Sequence, residues 1–188
     1  MKRAFELFAV TALLLVGCGN DPVPKPRGWF RIDLPEKQYV QWADSGTMSA
    51  EVPAYARMAR RPTEGDVRWY DLRFKDQRAT VHFTWTPLQG NLMQLIEDAH
   101  IFKNTHESKA ARIGTEKIKR DGSRVHGRIF HVDGDVASPL VIYLTDSTDN
   151  FLYGALYFDV RPNADSLAPV TERIREDVQR FAETLEWR

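Results

Sequence analysis

The sequence predicts an α+β fold with a single domain, in which a mostly antiparallel sheet is packed by two amphipathic helices. Three observations indicate this fold. Segments typical of strands come in pairs separated by turn-forming residues, two longer segments carry apolar residues at helical spacing, and the order along the chain is strands, helix, strands, helix. Of the 188 residues, 43% are hydrophobic and 28% charged, which is a globular composition.

The first seventeen residues have the pattern of a lipoprotein signal peptide. Two basic residues precede an apolar run over 7–16, which is shorter than the ~20 residues that cross a membrane as a helix. The run ends in the letters LVGC, which resemble the lipobox of bacterial lipoproteins. We therefore expect residues 1–17 to be a cleaved leader and Cys18 to be the site of lipidation. Acyl chains would then attach the protein to the membrane.

A proline-rich tether is predicted to follow the acylated cysteine, over residues 18–27. Prolines at 22, 24 and 26 favour an extended polyproline II segment, which acts as a semi-rigid spacer. The globular domain then covers residues 28–188. Its first part, which holds the aromatic residues from Trp29 to Tyr55, contains prolines and shows only short or uncertain strands.

Two pairs of segments predict hairpins of the sheet. The first is Trp69–Phe74 with Ala79–Trp85, and in its second segment the apolar residues at 81, 83 and 85 share one face. The second is Ile113–Ile118 with Val125–Val132, joined by an Asp-Gly pair that is typical of a tight turn.

A third hairpin is predicted from Leu140–Leu144 and Phe151–Phe158. Their almost continuous apolar content indicates central strands that are covered on both faces.

Two segments have helical periodicity. The first, Asn91–His106, begins with Asn91 as N-cap and Gln94 as its capping-box partner. The second, Leu167–Trp187, carries an apolar stripe opposite charged residues. The charged residues form i, i+4 pairs, Arg173 with Asp177 and Glu176 with Arg180. This spacing predicts a solvated outer face.

Charge and cysteine content exclude several classes of function. The 26 basic and 26 acidic side chains give a formal net charge of zero, so nothing supports binding to nucleic acid through a basic surface. A single cysteine excludes an intrachain disulfide and a multi-cysteine metal cluster.

Histidine spacing does not predict a metal site. His100 and His106 lie about 240° apart around a helix, and His126 and His131 lie on opposite faces of a strand. His82 could approach one of them, but a site needs three or four ligands. We therefore expect no metal and, since no glycine-rich phosphate loop is present, no cofactor.

Two alternatives to a binding protein remain open. Thr145-Asp146-Ser147 with His131 as base could form a hydrolase site acting on peptidoglycan or glycan, although such residues in a turn more often bond their own backbone. A deep polar cleft near Asp146 would favour this enzyme. A sizeable apolar cavity would instead favour a carrier of a small apolar ligand.

Aromatic residues mark a candidate surface for a protein partner. Trp29 and Phe30 belong to an aromatic group near the start of the domain, which covers either the edge of the core or a partner. Tyr143 and Tyr153 lie in the third predicted hairpin. We expect these four residues to form the partner surface.

Several stretches of the sequence resemble the gliding-motility lipoprotein family GldD of the Bacteroidetes. The resemblance covers nearly the whole mature chain, and the lipobox agrees with it. Two positions differ from the family pattern: the segment 46–50 before Glu51-Val52-Pro53, and Tyr153, where arginine is usual. The four stretches that carry the resemblance are PKPRGWFRIDLPEKQY (24–39), ASPLVIYLTDSTDNFLYGALYF (137–158), PNADSLAPV (162–170) and ETLEW (183–187).

The resemblance implies a lipid-anchored, non-catalytic envelope component of the gliding motility and type IX secretion machinery. As partners it implies the membrane, through acylated Cys18, and envelope proteins of that machinery. No catalytic residue is implied. Because no acidic residue follows the cysteine directly, we expect the outer membrane, with the domain facing the periplasm.

Overall fold

The computed structural model describes residues 33–104 and 110–188, and the side chains of all these residues except 102–104. Within this part of the chain two helices and ten strands form. The helices are Leu92–Asn104 (α1) and Ala164–Thr184 (α2). The strands are Tyr39–Asp44 (β1), Met48–Pro53 (β2), Arg57–Arg61 (β3), Arg68–Phe74 (β4), Ala79–Pro87 (β5), Arg112–Arg120 (β6), Val125–Asp133 (β7), Leu140–Thr145 (β8), Asn150–Phe158 (β9) and Glu186–Trp187 (β10).

Seven strands form one antiparallel sheet in the order β3-β4-β5-β9-β8-β7-β6. Two meanders, β3-β4-β5 and β6-β7-β8-β9, meet where β5 pairs with β9. The three predicted hairpins are all present, and β8 is buried along its whole length, as its apolar sequence predicted. The α+β fold class is therefore confirmed.

One of these hairpin turns is built differently from the prediction. Residues 121–123 form a short 3-10 turn, and the left-handed residue that closes it is Arg124, with φ of 52°. The turn does not use Gly122 for that conformation, because the loop holds four residues rather than two.

Helix α1 covers one face of the sheet over β8 and β9. Its apolar stripe packs against an aromatic cluster that includes Phe130, Phe151 and Tyr143. Asn91 precedes the helix, and its carbonyl accepts the first helical hydrogen bond from Leu95. The Asn91 side-chain oxygen accepts from the backbone N–H of Gln89, which holds the turn before the helix.

Helix α2 covers the opposite face, where Phe181 stacks on Phe83 with ring centroids 4.9 Å apart. The helix ends at Thr184, not at Trp187 as predicted. The chain turns there because Glu186 and Trp187 add a short strand to β2, which completes a second sheet in the order β1-β2-β10. This small sheet and α2 share one core with the large sheet.

The predicted solvated face of α2 is wrong for its central residue. Asp177 has 0% of its surface exposed, and its carboxylate accepts hydrogen bonds from the hydroxyls of Tyr39 and Tyr55. The charged neighbours of Asp177 also reach across to the first strands. Arg173 donates to the Pro35 carbonyl at 2.8 Å. Arg180 pairs with Glu51 at 2.7 Å. Helical spacing predicted pairs within the helix, but the chain segment 35–55, which contains the β1–β2 hairpin, supplies the observed partners.

A candidate partner-binding face

Half of the sheet face that carries α1 is left uncovered by the described elements. The helix lies over β8 and β9, whereas β3, β4 and β5 carry alternate side chains that point outward on the same side. We call this surface, together with the neighbouring tyrosine of β9, the open face. Its residues are Arg57, Ala59, Arg61, Trp69, Asp71, Arg73, Thr80, His82, Thr84 and Tyr157.

A carboxylate lies at the centre of the open face. Asp71 is only 3% exposed because arginine and histidine side chains cover it. Arg73 donates to Oδ2 and His82 Nδ1 contacts Oδ1, both at 2.8 Å, and Arg61 lies 3.9 Å from Oδ1. Burial acts to raise the pKa of Asp71, but the hydrogen bonds from Arg73 and His82 outweigh it and lower the pKa. Asp71 is therefore ionised at neutral pH and holds the surrounding side chains in place.

Aromatic rings flank this carboxylate on both sides. Trp69 and Tyr157 are each 40% exposed, which is large for apolar side chains on a sheet. The guanidinium of Arg61 lies 5.3 Å from the Trp69 ring, and the His82 ring lies 5.8 Å from that of Tyr157. The strand positions of the open face hold Trp, Tyr and Arg but neither Lys nor Glu. This is the composition that distinguishes protein interfaces from other surface.

The predicted surface residues do not come together as expected. Tyr143 is 6% exposed and stacks on Phe151 under α1, so it belongs to the core and the surface prediction for it is wrong. Tyr153 is partly buried against the same cluster, at the border between α1 and the open face. Cys18, Trp29 and Phe30 lie outside the described residues.

The Thr145–Ser147 segment forms a hydrogen-bonded turn. Asp146 Oδ1 accepts from the backbone N–H groups of residues 148, 149 and 150, and its other oxygen accepts from the Asn150 side chain. Burial acts to raise the pKa of Asp146, but these hydrogen bonds lower it overall. His126 lies opposite Thr145 in the sheet, and His131 is five residues further along β7, ~16 Å away at the rise of a strand. His131 is therefore not placed to act as a base for this turn.

The cavities among the described residues give little support to a carrier of an apolar ligand. Two depressions of about 560 and 440 Å³ include charged side chains in their linings. An apolar pocket between the end of β9 and the start of α2 measures about 130 Å³ and includes Val136, Phe158 and Leu167 in its lining. Ligand pockets usually measure ~300–1,000 Å³. A larger depression beside Ser147, of about 350 Å³, is lined by basic side chains rather than by a carboxylate pair.

Residues 33–104 and 110–188 contain neither a candidate metal site nor a helix that could span a membrane. These residues contain no group of three His, Cys, Asp or Glu side chains placed to hold a metal ion. Neither α1 nor α2 combines the length and the hydropathy that a membrane span requires.

The sequence of β4 contains a signal for the open face. In β4, Tyr70, Leu72 and Phe74 alternate with Trp69, Asp71 and Arg73, and the first three are fully buried. Strand alternation therefore puts Trp69 on the polar side of the strand. A tryptophan on the polar side is unusual enough to mark a surface.

Comparison with known proteins identifies the family. No curated protein matches the chain significantly. A family model described as gliding motility lipoprotein GldD matches residues 19–187, which is nearly the whole chain after the predicted leader. This protein belongs to the gliding motility lipoprotein GldD family.

Proposed function

We propose that this lipoprotein is a non-catalytic scaffold of the gliding motility and type IX secretion machinery, and that it binds an envelope protein through the open face. Family membership supports the motility role. The open face is the observation that carries the scaffold role, because it exposes Trp69 and Tyr157 around an ordered charge cluster. The residues that could have suggested hydrolysis, Asp146 and its neighbours, are engaged in a turn.

The mode of attachment follows from the sequence pattern. The acyl chains on Cys18 hold the protein at the membrane, and residues 18–27 set the distance of the domain, residues 28–188, from it. We place the anchor in the outer membrane with the domain facing the periplasm. A tether of this length keeps the open face within reach of other envelope proteins.

The rigidity of the open face favours binding. Side chains that are already fixed lose little conformational entropy when a partner docks. Here Arg73 and His82 are held by Asp71, and Arg61 is held between Asp71 and the Trp69 ring. The aromatic rings then provide apolar area that becomes buried on binding.

Photo-crosslinking in living cells tests this proposal. A photo-crosslinking amino acid is placed at position 69 or 157 of the lipidated protein, and the crosslinked species are identified by mass spectrometry. We expect both positions to capture the same envelope protein of the motility or secretion machinery. Position 93 is the matched control, because Met93 is 75% exposed but lies on the outer side of α1.

Two results would contradict the proposal. Capture of the same species from position 93 as from positions 69 and 157 would mean that the crosslinks report proximity only. Capture of no protein from either face position, with normal amounts of lipoprotein in the membrane, would remove the open face as a partner site.

A further inference from the structure

A second polar feature lies at the other end of the large sheet, beside the start of α1. It is an open depression of about 350 Å³ over β6, β7 and β8. We call it the basic depression. The polar side chains that line it are Lys117 and Lys119 of β6, His126 and Arg128 of β7, and Thr145 and Ser147 at the end of β8.

The strand register concentrates positive charge in this depression. Lys117 lies directly opposite Arg128, and Lys119 lies directly opposite His126. Like charges in directly opposed positions destabilise an antiparallel pair. Lysines on an edge strand such as β6 are common because they prevent edge-to-edge association. That explanation does not cover Arg128, because β7 is paired on both sides.

The charges in the basic depression are not neutralised by neighbouring acids. Its lining contains no Asp or Glu. Among the described residues, Lys117 and Arg128 make no ion pair, and Lys119 contacts only the exposed Asp121 at 3.2 Å. Leu92, the first residue of α1, also lines the depression. The partial positive charge at the N-terminus of the helix therefore adds to the positive charge of the side chains. An anion bound here would relieve the repulsion between Lys117 and Arg128.

We propose that the basic depression binds a phosphate group. The guanidinium of Arg128 can bind two phosphate oxygens at once, and the ammonium of Lys117 provides a compact charge from the opposite strand. The hydroxyl of Ser147 is at the same depression and can donate a further hydrogen bond, whereas that of Thr145 already donates its hydrogen to the Asn150 carbonyl. The phosphate belongs either to a small soluble molecule or to a lipid headgroup. This site is separate from the open face and does not depend on the scaffold proposal.

Thermal unfolding of the lipidated protein in a non-ionic detergent tests the site. Inorganic phosphate is added to one sample, and sodium chloride at the same ionic strength is added to another. We expect phosphate, but not chloride, to raise the Tm by a few degrees, because a ligand that binds the folded state stabilises it. In a parallel arm the micelles contain phosphatidic acid or, as its control, diacylglycerol, which has no phosphate.

Paired variants assign the effect to the basic depression. The double variant K117Q/R128Q removes the two opposed charges, and we expect it to weaken phosphate binding by at least about tenfold, since two charge-assisted contacts are lost. The control K75Q/R161Q removes the same charge from exposed positions outside the depression. It should retain the phosphate response of the wild-type protein.

The outcomes distinguish the source of the phosphate and can overturn the site. A response to inorganic phosphate supports a soluble ligand, and a response to phosphatidic acid alone supports a lipid headgroup. The proposal is overturned if neither probe changes the Tm. It is also overturned if K75Q/R161Q loses the response as fully as K117Q/R128Q does, because that would show a general charge effect.

Discussion

At the scale of single residues, the buried carboxylate of Asp177 best shows how chemistry holds this fold together. It accepts from Tyr39 at 2.9 Å and from Tyr55, and so joins α2 to the chain segment around β1 and β2. Burial, together with the hydrogen bond to Asp177, raises the pKa of Tyr39 to about 12. It also raises the pKa of Tyr55. Both hydroxyls therefore remain protonated donors at any physiological pH.

The pKa of Asp177 itself is raised, because the effect of burial exceeds that of the two hydrogen bonds, which act to lower it. A carboxyl group with a higher pKa in the folded state stabilises the fold below its unfolded pKa of ~3.9. That contribution is lost as the pH rises through the folded pKa. Burial thus favours the protonated acid, although the two tyrosine hydrogen bonds favour the carboxylate.

We predict that D177N lowers the free energy of unfolding by ~1–3 kcal/mol, because one buried acceptor is lost. The loss relative to wild type should be larger near pH 4 than at pH 7, since the wild-type carboxyl contributes most when protonated. Urea denaturation of D177N and wild type between pH 4 and pH 7 measures this difference in the free energy of unfolding. D76N is the control at an exposed turn and should show only a small difference from wild type. A difference for D177N that increases with pH would show that the folded pKa is lowered instead.

At the scale of secondary structure elements, the centre of the large sheet depends on close packing between neighbouring strands and α2. Phe83 of β5 lies directly opposite Gly154 of β9, which lies opposite Ile142 of β8. A Cβ atom at position 154 would lie 2.6 Å from the Phe83 ring and 2.8 Å from Ile142. Glycine is needed here for space, since the Phe83 ring must also stack on Phe181 of α2.

We predict that Gly154→Ala lowers the free energy of unfolding by ~1–3 kcal/mol through overpacking. Phe83→Leu introduced into the same variant should recover part of the loss, because it removes the ring that the new methyl group meets. Gly122→Ala, at a turn with open space around it, serves as the control and should be nearly neutral. If Gly154→Ala were as stable as wild type in urea denaturation, the side chains around β9 would have to shift easily enough to accommodate the new methyl group.

At the scale of the whole molecule, the large sheet has two unlike faces. One is covered by α2 and the small sheet, and the other is covered by α1 over only part of its width. Two tyrosines on this second face therefore have different surroundings. Tyr143 lies under α1 at 6% exposure, whereas Tyr157 lies at the open face at 40%.

We predict that the same substitution separates these two roles. Y143A should lower the free energy of unfolding by ~3–5 kcal/mol, because it leaves a large cavity under α1. Y157A should cost about 1 kcal/mol or less, as is usual for exposed positions. Chemical denaturation of both variants measures this contrast. A similar loss for the two would mean that the open face is packed in the folded protein.

The chain sequence by itself determined strands β4 to β9, both apolar helix stripes and the family, because each follows from local periodicity or from continuous motifs. It did not reveal β1 to β3, since these strands are short and lie in a segment with prolines, and their pairing is set by distant partners. Nor could it show that Asp177 is buried, because its partner Tyr55 lies 122 residues away. The burial of Tyr143 and the exposure of Trp69 likewise depend on where α1 lies across the sheet. Local alternation indicates the face on which a residue such as Trp69 lies, but only long-range packing decides what covers that face.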